Sequence, residues 1–165
     1  MTRLLAIVAI VGVLTGCSLQ NIKVYQGPDR PQSEQIVLSS VGLYLERRLS
    51  LTVLEIDGKD VSTGKAASYL LLPGSHEIKI HALKDFVPGF PISTIKRASI
   101  MSRLEARAGH TYIPNAVVDG DRISVIFEDK GLDFPRECLP LYREANNPGG
   151  SGLLGLYATD KKCNL

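Results

Sequence analysis

Ser75-His76-Glu77-Ile78-Lys79-Ile80-His81-Ala82-Leu83 alternates between two kinds of residue. His76, Ile78, Ile80 and Ala82 fall on one face of an extended chain, and Glu77, Lys79 and His81 on the other. Period two marks a half-buried strand, because successive side chains of extended backbone point to opposite faces. Pro73-Gly74 stands directly before the run as a turn.

The same pattern extends both ways. Upstream, Ala66–Leu72 reads as a strand that Pro73-Gly74 ends, and Leu51–Ile56 as another, stopped by the turn pair Asp57-Gly58. The chain reverses between them, which predicts a hairpin-like pairing of these two runs. Ile36-Val37-Leu38 is a further short strand. Downstream, Ser99–Arg107 sets Ile100, Leu104 and Ala106 against Arg103, Glu105 and Arg107. Gly109 interrupts, Thr111–Val118 resumes, and Asp119-Gly120 turns the chain into Arg122–Glu128, with Ile123, Val125 and Phe127 on one side.

Short runs between Gly, Pro and Asp turns predict an all-β fold, a small antiparallel β-sandwich over residues 35–137. The competing reading is α+β, because Leu43, Leu45, Arg47, Arg48 and Leu49 permit a helical turn within 38–51. Val41-Gly42 disfavours a long helix there. Pro88-Gly89-Phe90-Pro91 reads as a loop. Its aromatics Phe86 and Phe90 are either contact residues or fold back onto the edge of the core.

The first 16 of the 165 residues differ from the rest. Arg3 supplies one charge, Leu4–Leu14 is apolar apart from Gly12, and Thr15-Gly16-Cys17 comes next. This is the order of a secretory signal peptide. The alternative, a retained transmembrane helix, needs about 20 apolar residues, and Gln20, Asn21 and Lys23 arrive too early. The leader holds one of 19 basic residues and none of 17 acidic ones, so the remaining chain is near neutral. That balance does not indicate a nucleic-acid binder. Residues 17–34, with Gly27-Pro28-Asp29-Arg30-Pro31, read as a flexible tether, or Val24-Tyr25 as a short first strand.

Cys138 and Cys163 are the other two cysteines. In an exported protein they permit one intramolecular pairing, which ties residues 138–165 into a loop-rich tail around Asn146-Asn147-Pro148-Gly149-Gly150-Ser151-Gly152. Closing a loop of that length contributes about 3.5 kcal/mol. A metal site is the alternative, but two cysteines without close histidines suit it poorly.

Leu14-Thr15-Gly16-Cys17 resembles the lipobox of bacterial lipoproteins. The resemblance implies cleavage between Gly16 and Cys17 and a diacylglycerol thioether on the Cys17 sulfur. It also implies anchoring at the outer membrane facing the periplasm, since Ser18 is not the aspartate that retains enteric-type lipoproteins at the inner membrane. Ile56-Asp57-Gly58 followed by Leu71-Leu72-Pro73-Gly74-Ser75-His76-Glu77-Ile78 resembles the repeating phrase of PEGA-type modules, small β-sandwich units on envelope proteins. Gly109-His110-Thr111-Tyr112 looks like the next strand start in small lipoproteins sharing that phrase. The literal Pro-Glu-Gly-Ala stretch is missing. Such modules imply binding or scaffolding and carry no shared catalytic residue.

No catalytic constellation is legible. His76 and His81 are five apart and point to opposite faces of one strand, so they do not share a metal. His76 and His110 read as turn-closing histidines more readily than as ligands. Glu128-Asp129 and Asp119/Asp121 read as solvated strand-end carboxylates. There is no Gly-x-Ser-x-Gly, phosphate loop or calcium loop. The sequence therefore points to a non-enzymatic lipoprotein without cofactor or metal, attached to a membrane by its lipid and binding an envelope protein or cell-wall component. The alternative is a periplasmic carrier or sensor of a small apolar ligand held between the sheets.

Overall fold

The alternation of the central run is realised as the longest strand. In the computed structural model, which describes residues 20–44, 49–62, 66–84, 97–119, 122–139 and 163, β7 (Gly74–Lys84) buries Ile78, Ile80 and Ala82 completely. Each large aliphatic side chain so buried stabilises the fold by about 1.5–3 kcal/mol. β7 pairs antiparallel with β4 (Leu49–Ile56) on one side and β8 (Arg97–Ala106) on the other. β3 (Val41–Tyr44) lies beyond β4, and the two-residue β5 (Lys59–Asp60) also pairs with β4. This is one sheet.

The second sheet runs in the order β1 (Gln20–Lys23), β6 (Ala66–Leu71), β2 (Ile36–Ser39), β9 (Thr111–Asp119), β10 (Arg122–Asp129). The fold is all-β, and no described segment of 38–51 is helical. Two of the pairings are parallel, β1 with β6 and β2 with β9. The inner faces meet in a shared core that includes Ile36, Leu38, Leu51, Ile56, Leu71 and Ile80.

Three expectations change. Of the expected tether over 17–34, residues 20–23 form β1, and Val24 continues its edge by donating to the Leu70 carbonyl (3.0 Å). The segment has few apolar residues, yet the exposed edge of β6 supplies the backbone partners it needs. The expected hairpin of 51–56 with 66–72 does not form; the two runs belong to different sheets. Asp57-Gly58 does make a tight turn, with φ of 50° and 77°. However, the returning ladder lasts only for Ile56↔Lys59 and Glu55↔Asp60 before Val61 turns into the core. The boundary at 137 also moves: Leu139 and Phe134 pack with Val37, Val41, Ile113 and Leu70 in a second small cluster, which covers the outer face of β2. Cys138, in a 3-10 turn over Arg136–Cys138, is bonded to Cys163 with Cα atoms 5.5 Å apart.

The chain passes directly from one sheet to the other between β2 and β3. At the pivot, the Ser40 N–H donates to the Ala67 carbonyl of one sheet (3.1 Å), and its carbonyl accepts from the Val53 N–H of the other (2.9 Å). The Ser40 hydroxyl donates to the Ala66 carbonyl (2.8 Å), and that of Ser39 to the Val41 carbonyl (2.7 Å). Gly42 then passes so close to β9 that a Cβ there would lie 1.7 Å from the Pro114 carbonyl oxygen. Pro114 is tolerated inside β9 for a related reason. Thr111 exchanges bonds with the β10 side, so the even residues of β9 direct their backbone groups the other way. On that side β2 has already left, and no ladder requires the missing N–H.

Gly42→Ala is therefore expected to destabilise the domain by about 3 kcal/mol or more, since two backbones must separate to admit the methyl. Urea unfolding checks this: the midpoint falls while the slope stays that of the parent. An unchanged midpoint would disprove the close approach.

Candidate functional site

Besides the passages from β2 to β3 and from β5 to β6, two sheet changes occur together at one end of the sandwich. Leu72-Pro73 carries β6 into β7, and Arg107–His110 carries β8 into β9. A histidine follows each crossing, and each meets an aspartate 19 positions away.

His76 Nδ1 lies 2.7 Å from Asp57 Oδ2, and His76 Nε2 lies 2.8 Å from the Leu72 carbonyl oxygen. Both partners are acceptors, so a ring protonated on both nitrogens satisfies both, and a neutral ring only one. Asp57 uses its other oxygen to accept from the Glu77 N–H (2.9 Å). The Asp-Gly turn and the Pro-Gly turn are thus joined through one imidazole. His76 closes turns, as its position after Pro73-Gly74 implied.

His110 Nδ1 lies 2.8 and 3.0 Å from the two Asp129 oxygens. Asp129 also accepts from the Gly131 N–H (2.8 Å), and the Arg107 guanidinium stands 3.7 Å away. Burial acts to raise the Asp129 carboxyl. Hydrogen bonds from His110, Gly131 and Tyr112, with the His110 charge, outweigh it and hold the group below the usual carboxylate range. The Tyr112 hydroxyl accepts from the Arg107 N–H (3.0 Å), tying the crossing itself into this network. Glu128, its sequence neighbour, points elsewhere and accepts from Lys130 (2.6 Å). The two carboxylates do not form an acid–base pair. Asp57 and Asp129 were legible only as turn residues, because nothing local in sequence reveals a histidine 19 positions distant.

Beside this network runs a groove of about 400 Å³. Leu104, Val125 and Phe127 form its apolar floor, with Arg103, Arg107 and Asp129 among its charged groups. It follows the seam between β8 and β10, the last strands of their sheets. No ladder joins them among the described residues; one bond crosses, from the Ser102 hydroxyl to the Val125 carbonyl (3.0 Å). Ile126 lines the groove and is 50% exposed. The seam thus offers apolar surface, both signs of charge and two strand edges that no described strand pairs with.

Cys17, Gly16, Phe86, Phe90 and Asp121 lie outside the described residues. Among the described residues, no group of three or more His, Cys, Asp or Glu is placed to hold a metal, and no helix is long and apolar enough to cross a membrane. No family model, curated protein or solved structure matches the chain.

The lowered Asp129 carboxyl predicts a pH dependence. A group whose folded value is depressed contributes stability above its unfolded value of about 3.9, and that contribution fades as pH falls through the folded value. Asp129→Asn should be less stable than the parent at neutral pH, with the two converging in acid. Thermal melts across pH 2–7 check this, about the span over which a carboxylate titrates. A gap that persists unchanged into acid would rule out the carboxylate as its source.

Proposed function

We propose that this chain is a lipid-anchored bacterial envelope lipoprotein, without catalytic activity, whose β-sandwich binds another envelope protein. One observation carries the anchor: a single basic residue, an apolar run from Leu4 to Leu14, and Leu14-Thr15-Gly16-Cys17, in that order. Two or more acyl chains on such a cysteine hold a protein at a bilayer stably, whereas one does not. The proposed location is the outer membrane, with the domain in the periplasm.

The groove favours a protein over a cell-wall component. The edges of β8 and β10, which no described strand pairs with, present backbone donors and acceptors that an extended peptide can satisfy, and the apolar floor takes alternate side chains. The carrier alternative has less support. Ile36, Leu38, Leu51, Ile56, Ile78 and Ile80 fill the space between the sheets with no more than trace exposure.

Palmitate labelling in a bacterial host tests the anchor. The parent should incorporate label and pellet with membranes, and Cys17→Ser should do neither; an unlabelled parent refutes the anchor. Photo-crosslinking in intact cells tests the groove. A crosslinker at Ile126 should trap one discrete species that a crosslinker at Lys59, an exposed turn residue away from the seam, does not. Identical products from both positions would count against the groove.

A further inference from the structure

The docking of β1 decides which part of the sandwich meets a membrane. Three peptide units separate Cys17 from Gln20, so their Cα atoms are at most about 11 Å apart whatever the conformation between them. Gln20 is not free to wander: it pairs with Ala66, and β1 runs parallel to β6 from that point.

Register gives its height in the sandwich. Leu70 stands opposite Val37, and Val37 opposite Thr111. Four residues back along β6, Ala66 is therefore level with Asn115 of β9. Asp119, where β9 ends against Arg122 of β10, projects about four residues further toward the end from which β1 starts, or about 13 Å. In the other direction His110 lies five residues away, about 17 Å. Across the sheet, β10 is four strands from β1, about 19 Å.

We infer that the sandwich stands on the bilayer by the end where β1, β8 and β10 begin and β7 and β9 finish, with the headgroups as the partner of that end. The inference rests on the lipid anchor proposed above. With β1 entering from that side, a leash of about 11 Å does not lift Gln20 far enough for the tip at Asp119–Arg122, about 13 Å beyond it, to clear the surface. Arg97 and Arg122 open β8 and β10 there and are exposed, which suits phosphate headgroups. The same leash cannot turn the opposite end to the membrane. The two His–Asp networks and the adjoining part of the β8–β10 groove therefore face the aqueous compartment, open to a soluble or periplasm-facing partner.

The test uses the lipidated full-length mature protein in vesicles of phosphatidylethanolamine and phosphatidylglycerol, with a bimane label at Arg122→Cys or at Lys59→Cys. Lys59 marks the opposite end, beside Asp57. Headgroup spin-labelled lipid should quench the Arg122→Cys label severalfold more than the Lys59→Cys label. Inserting a Gly/Ser spacer of about 40 residues between Leu19 and Gln20, with a root-mean-square span of about 35 Å, should remove the difference. Equal quenching in protein that carries palmitate and floats with the vesicles overturns the orientation and leaves the anchor standing. Protein that carries no lipid and does not float overturns the anchor, and the orientation with it.

Discussion

A single residue, Ser40, is bonded to both sheets through its two backbone polar groups, and the sandwich is organised around it. Its N–H belongs to the ladder side of β6 and its carbonyl to β4. The two sheets are thus fixed in relation to each other at one corner by backbone bonds as well as by the side chains packed between them. Buried backbone groups left without partners cost about as much as a lost hydrogen bond each, so this corner cannot slip without breaking bonds on both sides. The two serine hydroxyls satisfy carbonyls in a place where neither sheet is continuous. Gly42, immediately after, is what lets β3 lie against β9 closely enough for the corner to close.

Two of the other crossings use a different device. Where β6 passes to β7 and β8 to β9, a glycine with positive φ (Gly74 at 137°, Gly109 at 81°) turns the chain. A histidine then locks the crossing to an aspartate at the end of a neighbouring strand. The Gly109 N–H also donates to the Gln35 carbonyl (2.7 Å), and the His110 carbonyl accepts from Val37 (3.0 Å), so the start of β2 is held by the same crossing. These imidazoles explain how two short connections keep one end of the sandwich in register. Half-shielded charge-assisted bonds of this kind are stronger than neutral ones, which makes that end a firm platform beside the groove.

Most strands were legible because burial on one face writes itself into the sequence as period two. Ser75–Leu83, Ser99–Arg107, Thr111–Val118 and Arg122–Glu128 all occupy strands close to those limits. What escaped was information that two distant segments share. Gln20–Lys23 has no alternation strong enough to mark it, since it is an edge strand stabilised by the partner it covers. Ser39-Ser40 looks like a break between strands, and it is one, but the pairing of its two flanks with different sheets depends on Ala67 and Val53. The false hairpin arose from the same blindness. Asp57-Gly58 states that the chain turns, and only Val61 entering the core determines how soon the returning ladder ends. The pairing of Cys138 with Cys163 needed no such knowledge, because the sequence has only one other cysteine, and it stands in the leader-like segment, far from both along the chain.

Edge strands explain why a groove between β8 and β10 need not be a liability. A sheet edge with open backbone groups invites any extended chain, and proteins commonly discourage this with charge. β8 carries Arg97, Arg103 and Glu105 on its exposed face, with Arg107 just past its end, and β10 carries Arg122 and Glu128. A second copy of the same edge would bring like charges together at several registers, while Lys130 and Arg107 already engage Glu128 and Asp129. At the other side of that sheet the four-residue β1 covers β6 and becomes the edge itself. The seam between β8 and β10 thus carries charge along both walls, with Arg107 and Asp129 already joined across it and Arg103 exposed beside them.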